Sequence, residues 1–137
     1  MKKSFSRILV VLVFSALVLS ACGGSSPSES PSVPAAYAGK TNPLGSDAAS
    51  AGKSLYDVQC ASCHGESGKG DGPAGQALTP PAANLVESAS KFADDYMYYR
   101  IAEGGTMDPY NSSMPPFKNT LSEDEIWQLV AYINTLK

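Results

Sequence analysis

Cys60-Ala61-Ser62-Cys63-His64 holds two thiols three positions apart, with an imidazole directly after the second. This is the spacing at which c-type haem is attached: both sulfurs reach the vinyl groups of one porphyrin, and the next side chain turns beneath the iron. The chain has a single histidine, so His64 has no rival of its own type as iron ligand. A redox disulfide of the thioredoxin kind usually follows a strand in a βαβ pattern, and none precedes Cys60. A structural zinc site wants four thiolate or imidazole ligands, whereas Cys60, Cys63 and His64 are three.

Cys22, the remaining cysteine, has a different setting. Lys2, Lys3 and Arg7 are followed by a nearly unbroken apolar run from Ile8 to Leu19 and then by Leu19-Ser20-Ala21-Cys22. The run is shorter than the roughly 20 residues that span a bilayer and has the layout of a secretory signal. Small residues before Cys22 resemble the bacterial lipobox, which implies removal of residues 1–21 and lipid on the Cys22 sulfur. Two or more acyl chains anchor stably where one does not. The mature protein is therefore expected outside the cytoplasm, on a membrane it does not cross, facing a periplasm or the outer face. Loss of residues 1–21 lowers the ten Lys and Arg to seven against 13 Asp and Glu, a balance of −6. Such a charge argues against nucleic acid and suits docking to a basic patch on a redox protein.

From Gly23 to about Gly45 the chain is rich in Ser, Pro, Gly and Ala, without apolar periodicity. Together with Cys22 this stretch, residues 22–45, reads as a flexible linker, which could extend to at most ~80 Å. Residues 46–137 then make one small domain with a thin core, to which a porphyrin would add buried apolar area.

Within the domain, Ser46 or Asp47 can cap a first helix that runs to about Gln59, with Gly52, Leu55, Tyr56 and Cys60 on one face. A glycine-rich turn follows at Gly65 to Pro73; it lacks the spacing and preceding strand of a phosphate loop. Prolines 80 and 81 stop helix formation in Leu78 to Leu85, and a backbone carbonyl of that stretch is a candidate partner for the free Nδ1 of His64. A second helix is expected from Asp94 or Asp95 to Glu103, with Gly104 and Gly105 as its stop. Ser122 and Glu125 form a capping box that opens a last helix carrying Ile126, Trp127, Leu129, Val130, Tyr132, Ile133 and Leu136. No alternating stretch is long enough to require a sheet, so the domain is expected to be all-α.

Function turns on what lies opposite His64. Iron with one protein ligand is open to small molecules, whereas iron held on both faces is confined to electron transfer. The candidates are thioethers: Met97, Met107 and Met114. Met97 sits mid-helix, where methionine is more often core. Met107 follows Gly105-Thr106 in a turn. Met114 lies in Asn111-Ser112-Ser113-Met114-Pro115-Pro116-Phe117, where prolines stiffen the backbone, and is the preferred candidate with Met107 as its competitor.

These residues resemble the class I, mitochondrial-type cytochromes c across the whole domain from Gly52 to Leu136. Cys60, Cys63 and His64 match the haem attachment and proximal ligand; Met114, Pro115 and Phe117 match the distal loop. Gly52 and Tyr56 match the N-terminal helix at its crossing with Leu129 and Tyr132 of the C-terminal helix. The segment Asp108 to Ser113 is longer and more polar than in many members. The resemblance implies a small cytochrome c fold of about three to five helices around one covalent haem c. It also implies His64 and Met114 as axial iron ligands, and an electron carrier rather than an enzyme, with no small-molecule substrate. Expected partners are redox proteins of a respiratory or photosynthetic chain. The alternatives are a fixed cytochrome subunit of a quinol-oxidising or terminal oxidase complex, and a haem ligand sensor or peroxidase with an open distal site.

Overall fold

The structure, a computed structural model, describes residues 32–45, 47–107 and 109–137. Cys22, the expected leader, Ser46 and Asp108 lie outside the described residues. Six helical segments and no strand occur among the described residues, in agreement with the all-α expectation. They are α1 Ala48–Gln59, α2 Ala61–His64, α3 Pro73–Gln76, α4 Leu85–Lys91, α5 Asp94–Glu103 and α6 Glu123–Ile133. Two of the six, α2 and α3, are single turns of four residues, which brings the count above the expected three to five.

Helix α1 begins at Ala48 behind Asp47, but Asp47 makes no side-chain cap hydrogen bond. Its backbone is already helical (φ −76°, ψ −12°), whereas a capping side chain is placed over the first amides by an extended backbone. Helix α6 shows the contrast. Ser122 is extended, its Oγ accepts from the Glu125 amide at 3.3 Å, and the Glu125 carboxylate accepts from the Ser122 amide at 2.8 Å. Ser122→Ala should therefore lower stability by about 1 kcal/mol. The expected fall in thermal midpoint is roughly 4–8 °C, and an unchanged melting curve would show that the cap contributes nothing.

The domain is closed where α1 crosses α6. A Cβ on Gly52 would sit 1.9 Å from the Gln128 carbonyl oxygen, so the two backbones touch there because Gly52 has no side chain. One turn on, the Tyr56 and Tyr132 rings pack at 5.1 Å, and Tyr56 and Leu129 are fully buried. Ile126, Trp127, Val130 and Ile133 carry the core from α6 towards α5, where Tyr98 packs 4.4 Å from Trp127.

Residues 32–45, which composition places in the linker, lie against the domain. Val33, Tyr37 and Leu44 pack on its core. The Gly39 amide donates to Asp95 at 2.7 Å, Asn42 Nδ2 donates to the Trp127 carbonyl at 3.0 Å, and the Tyr37 hydroxyl donates to Glu103. The Tyr37 ring packs on an aromatic surface, Tyr98 and Tyr99 at 6.0 and 5.3 Å.

Candidate functional site

The attachment pentapeptide is one tight turn at the end of α1. The amides of Cys63 and His64 both donate to the Cys60 carbonyl, at 3.1 and 2.9 Å, so the thiols and the imidazole leave a single helical turn. The buried Tyr56 hydroxyl donates to the Gly65 carbonyl at 2.7 Å and ties this turn to the α1–α6 crossing. Burial pushes the Cys60 thiol up to about 12, with the neighbouring Cys63 adding to the shift. A thiol held protonated is the opposite of the activated thiolate of a redox disulfide site.

The glycine-rich loop and the proline-rich stretch fold over this turn. The Gly70 amide donates to the His64 carbonyl at 2.8 Å and the Leu85 amide to the Gly68 carbonyl at 2.6 Å. A Cβ on Gly75 would lie 2.0 Å from the Cys63 carbonyl oxygen, so α3 rests directly on the turn. The expected orienting carbonyl is that of Ala83, 2.9 Å from His64 Nδ1. A carbonyl only accepts, so Nδ1 carries the proton and Nε2 of the neutral ring keeps its lone pair. Burial lowers the His64 pKa, partly offset by the Ala83 bond, which favours this neutral form.

Met114 is positioned by the far end of α5. The Gly105 amide donates to the Met114 carbonyl at 2.9 Å, Ser112 to Gly105 at 2.7 Å, and Phe117 and Lys118 to Ile101 and Ala102 at 3.1 Å each. Gly104 at φ 72° permits the turn: a Cβ there would lie 2.6 Å from the Met114 oxygen. The loop thus hangs from the last carbonyls of the helix, groups that otherwise lack partners.

Two cavities of ≈330 and ≈220 Å³ adjoin these elements. Both are lined by Cys60, His64, Ala83, Met114 and Phe117; Cys63 lines the larger and Met97 the smaller. Met107, the competitor, lines neither and instead faces a groove with Pro34, Tyr37 and Tyr99. Two further residues line both cavities: Arg100 and Tyr110, with the guanidinium carbon 3.4 Å from the Tyr110 ring centre. Sequence reasoning passed over them. The available signal was a lone charge at Arg100 inside the otherwise buried run from Tyr96 to Ala102.

Arg100 Nη1 is buried without a hydrogen-bond partner among the described residues. An orphaned guanidinium nitrogen at the wall of an apolar cavity calls for an anionic acceptor. The cavity walls therefore fit haem: an apolar body, two thiols within one turn, an imidazole and a thioether on its walls, and a cation suited to a carboxylate.

The cytochrome c family model matches residues 49–137. Cytochrome c-554(547) of Halothiobacillus neapolitanus is 40% identical over 91 residues, which cover 65% of this chain and 97% of that protein. A chain of the Kuenenia stuttgartiensis reducing HAO-like protein complex Kustc0457/Kustc0458 is similar in structure (TM-score 0.55, 28% identity) over 69% of this chain. The match spans about half, 46%, of that longer chain. The KustC0563 c-type cytochrome is similar over 63% of this chain and 96% of its own, with 29% identity and a TM-score of 0.48. This chain belongs to the cytochrome c family, the electron-transfer proteins whose haem c is covalently bound.

Proposed function

We propose that this chain is a membrane-tethered, single-haem electron carrier, with Cys60 and Cys63 as the thioether attachment points and His64 and Met114 as the axial ligands. The observation that carries the reading is that His64 and Met114, brought by elements at opposite ends of the domain's sequence, line the same two cavities. When bound, haem supplies a one-electron iron couple, and a His and Met pairing raises its potential. The chain's own residues do the rest. The Ala83 carbonyl holds the imidazole in one tautomer, the Gly105 amide holds the Met114 backbone, and Arg100 offers its free Nη1 to a carboxylate. Apolar walls from Leu78, Pro80, Ala82 and Phe117 exclude water, which limits reorganisation when charge arrives or leaves. With both axial positions taken by protein, the chain carries electrons and performs no bond chemistry of its own.

The tether is Cys22, lipidated after removal of residues 1–21, with the domain outside the cytoplasm. Partners are redox proteins that give and take single electrons. Attachment as a fixed subunit of a larger complex is the second reading; it is supported by the likeness to a chain of the HAO-like complex.

The test is full-length protein matured with haem-attachment machinery. It is expected in the detergent-extracted membrane fraction, with a mass increased by one haem and its lipids, and with a weak far-red band in the oxidised spectrum. Cys22→Ser should move haem-loaded protein to the soluble fraction, and Cys63→Ser should impair covalent retention of haem. Absence of Soret absorption, or prompt carbon monoxide binding by the reduced wild type, would overturn the carrier. Equal solubility with and without Cys22 would overturn the tether. Under mild detergent a free carrier leaves alone, whereas a subunit brings its neighbours.

A further inference from the structure

The side chains of α5 divide between two surfaces. Tyr96, Met97, Arg100 and Ile101 line the smaller cavity, while Asp95, Tyr98, Tyr99 and Glu103 meet residues 33–44. Among the described residues, Glu103 is hydrogen-bonded to both the outer segment and the end of the Met114 loop. Glu103, the last residue of α5, places a carboxylate where the helix dipole is negative, an unfavourable position unless it is compensated. Two partners compensate it. Lys118 Nζ donates to Oε2 at 2.7 Å, and the Tyr37 hydroxyl donates to Oε1. Together they hold the Glu103 carboxyl below its usual range, while the bond to Glu103 pushes the Tyr37 phenol up to about 12.

Lys118 is where the Met114 loop leaves α5. Its amide and that of Phe117 are the last of the bonds that hang the loop from the helix. Tyr37 itself is fixed from two sides: its ring packs on Tyr98 and Tyr99, and the neighbouring Gly39 amide is bonded to Asp95. The hydroxyl is thus delivered to Glu103 by contacts of Tyr37 and Gly39 with α5 itself.

We propose that Tyr37, acting through Glu103 and Lys118, is a positioning residue for Met114. The segment that precedes α1 clamps the exit of the Met114 loop to the end of α5 and limits how often the thioether leaves its bonding position. This rests on Met114 as the axial thioether.

The test uses full-length haem-loaded protein. Tyr37→Phe keeps the aromatic packing and removes only the hydroxyl. It should raise the rate of carbon monoxide binding to the reduced protein by about tenfold, the worth of one hydrogen bond to a charged group, and weaken the far-red band of the oxidised protein. Glu103→Gln can still accept from Tyr37 but turns an amide NH2 towards Lys118, which breaks the arm that reaches the loop, so it should raise the rate at least as much; a rise well below that of Tyr37→Phe would overturn the clamp. Asn42→Ala breaks a bond of the same segment remote from Glu103, so it should lower the melting temperature without changing the carbon monoxide rate. If Tyr37→Phe binds carbon monoxide at the wild-type rate while Met114→Ala binds it promptly, the clamp is wrong and the axial assignment stands. If Met114→Ala also binds no faster than wild type, both fall. A rate increase in Asn42→Ala equal to that in Tyr37→Phe would reduce the effect to general loosening and overturn the clamp.

Discussion

Met114→Ala should leave haem covalently attached while the far-red band of the oxidised protein disappears, the iron becomes high-spin and the reduction potential falls. The loop is held by backbone bonds from Gly105, Phe117 and Lys118 rather than by the Met114 side chain, so the substitution removes a thioether without releasing the chain around it. Axial ligands set haem potentials over roughly 0.8 V, so loss of the sulfur should lower the potential by on the order of 0.1–0.3 V. Potentiometry and a visible spectrum check this. An unchanged spectrum would remove Met114 from the iron and leave Met97, the other thioether on a cavity wall, as the ligand.

Gly52→Ala should be the most destabilising single methyl that can be added to the α1–α6 crossing. On an exposed helix this substitution gains about 1 kcal/mol from helix propensity. Here the added Cβ would lie 1.9 Å from Gln128 O and 2.5 Å from Gln128 C, both backbone atoms with no rotamer to yield. The helices must part, and overpacking of this kind costs about 3 kcal/mol, so the clash outweighs the propensity. With a net loss of about 2 kcal/mol, the thermal midpoint of a domain of this size should fall by roughly 8–16 °C. A midpoint equal to that of the wild type would show that the crossing is looser than its backbone contact indicates.

The legible parts of this protein are those whose geometry is local or whose side chain is absent for a steric reason. The turn from Cys60 to His64, the Ser122 and Glu125 capping box and the Gly104 stop each depend on neighbours within a few residues, and each stands where the sequence places it. Gly52 was legible together with Tyr56, Leu129 and Tyr132, because the family resemblance supplies their pairing. Helix α4 was missed: its signal, Asn84 accepting from the Glu87 amide, is masked by the prolines just before it. The Ala83 carbonyl could not be singled out among its neighbours, because its selection depends on the Leu85 amide bonding to the Gly68 carbonyl and on the close approach of Ala82 and Ala83 to Gly70. Competition between Met107 and Met114 could not be resolved by spacing either. What tells them apart is placement: Met114 lines both cavities, whereas Met107 faces the groove with Tyr37. The docking of residues 33–44 was hidden for the same reason: Val33, Tyr37 and Leu44 have no shared period, and the surface that receives them is formed by α5 and α6.

The α1–α6 crossing also dictates timing during synthesis. Its two halves, Gly52 and Gln128, are separated by more than half the chain, and bringing them together is a long loop closure that no earlier contact can replace. A nascent chain on the ribosome therefore has no closed core until about residue 133 has emerged. The bonds of the Cys60 to His64 turn are all local, so that turn can form before α6 arrives to close the core.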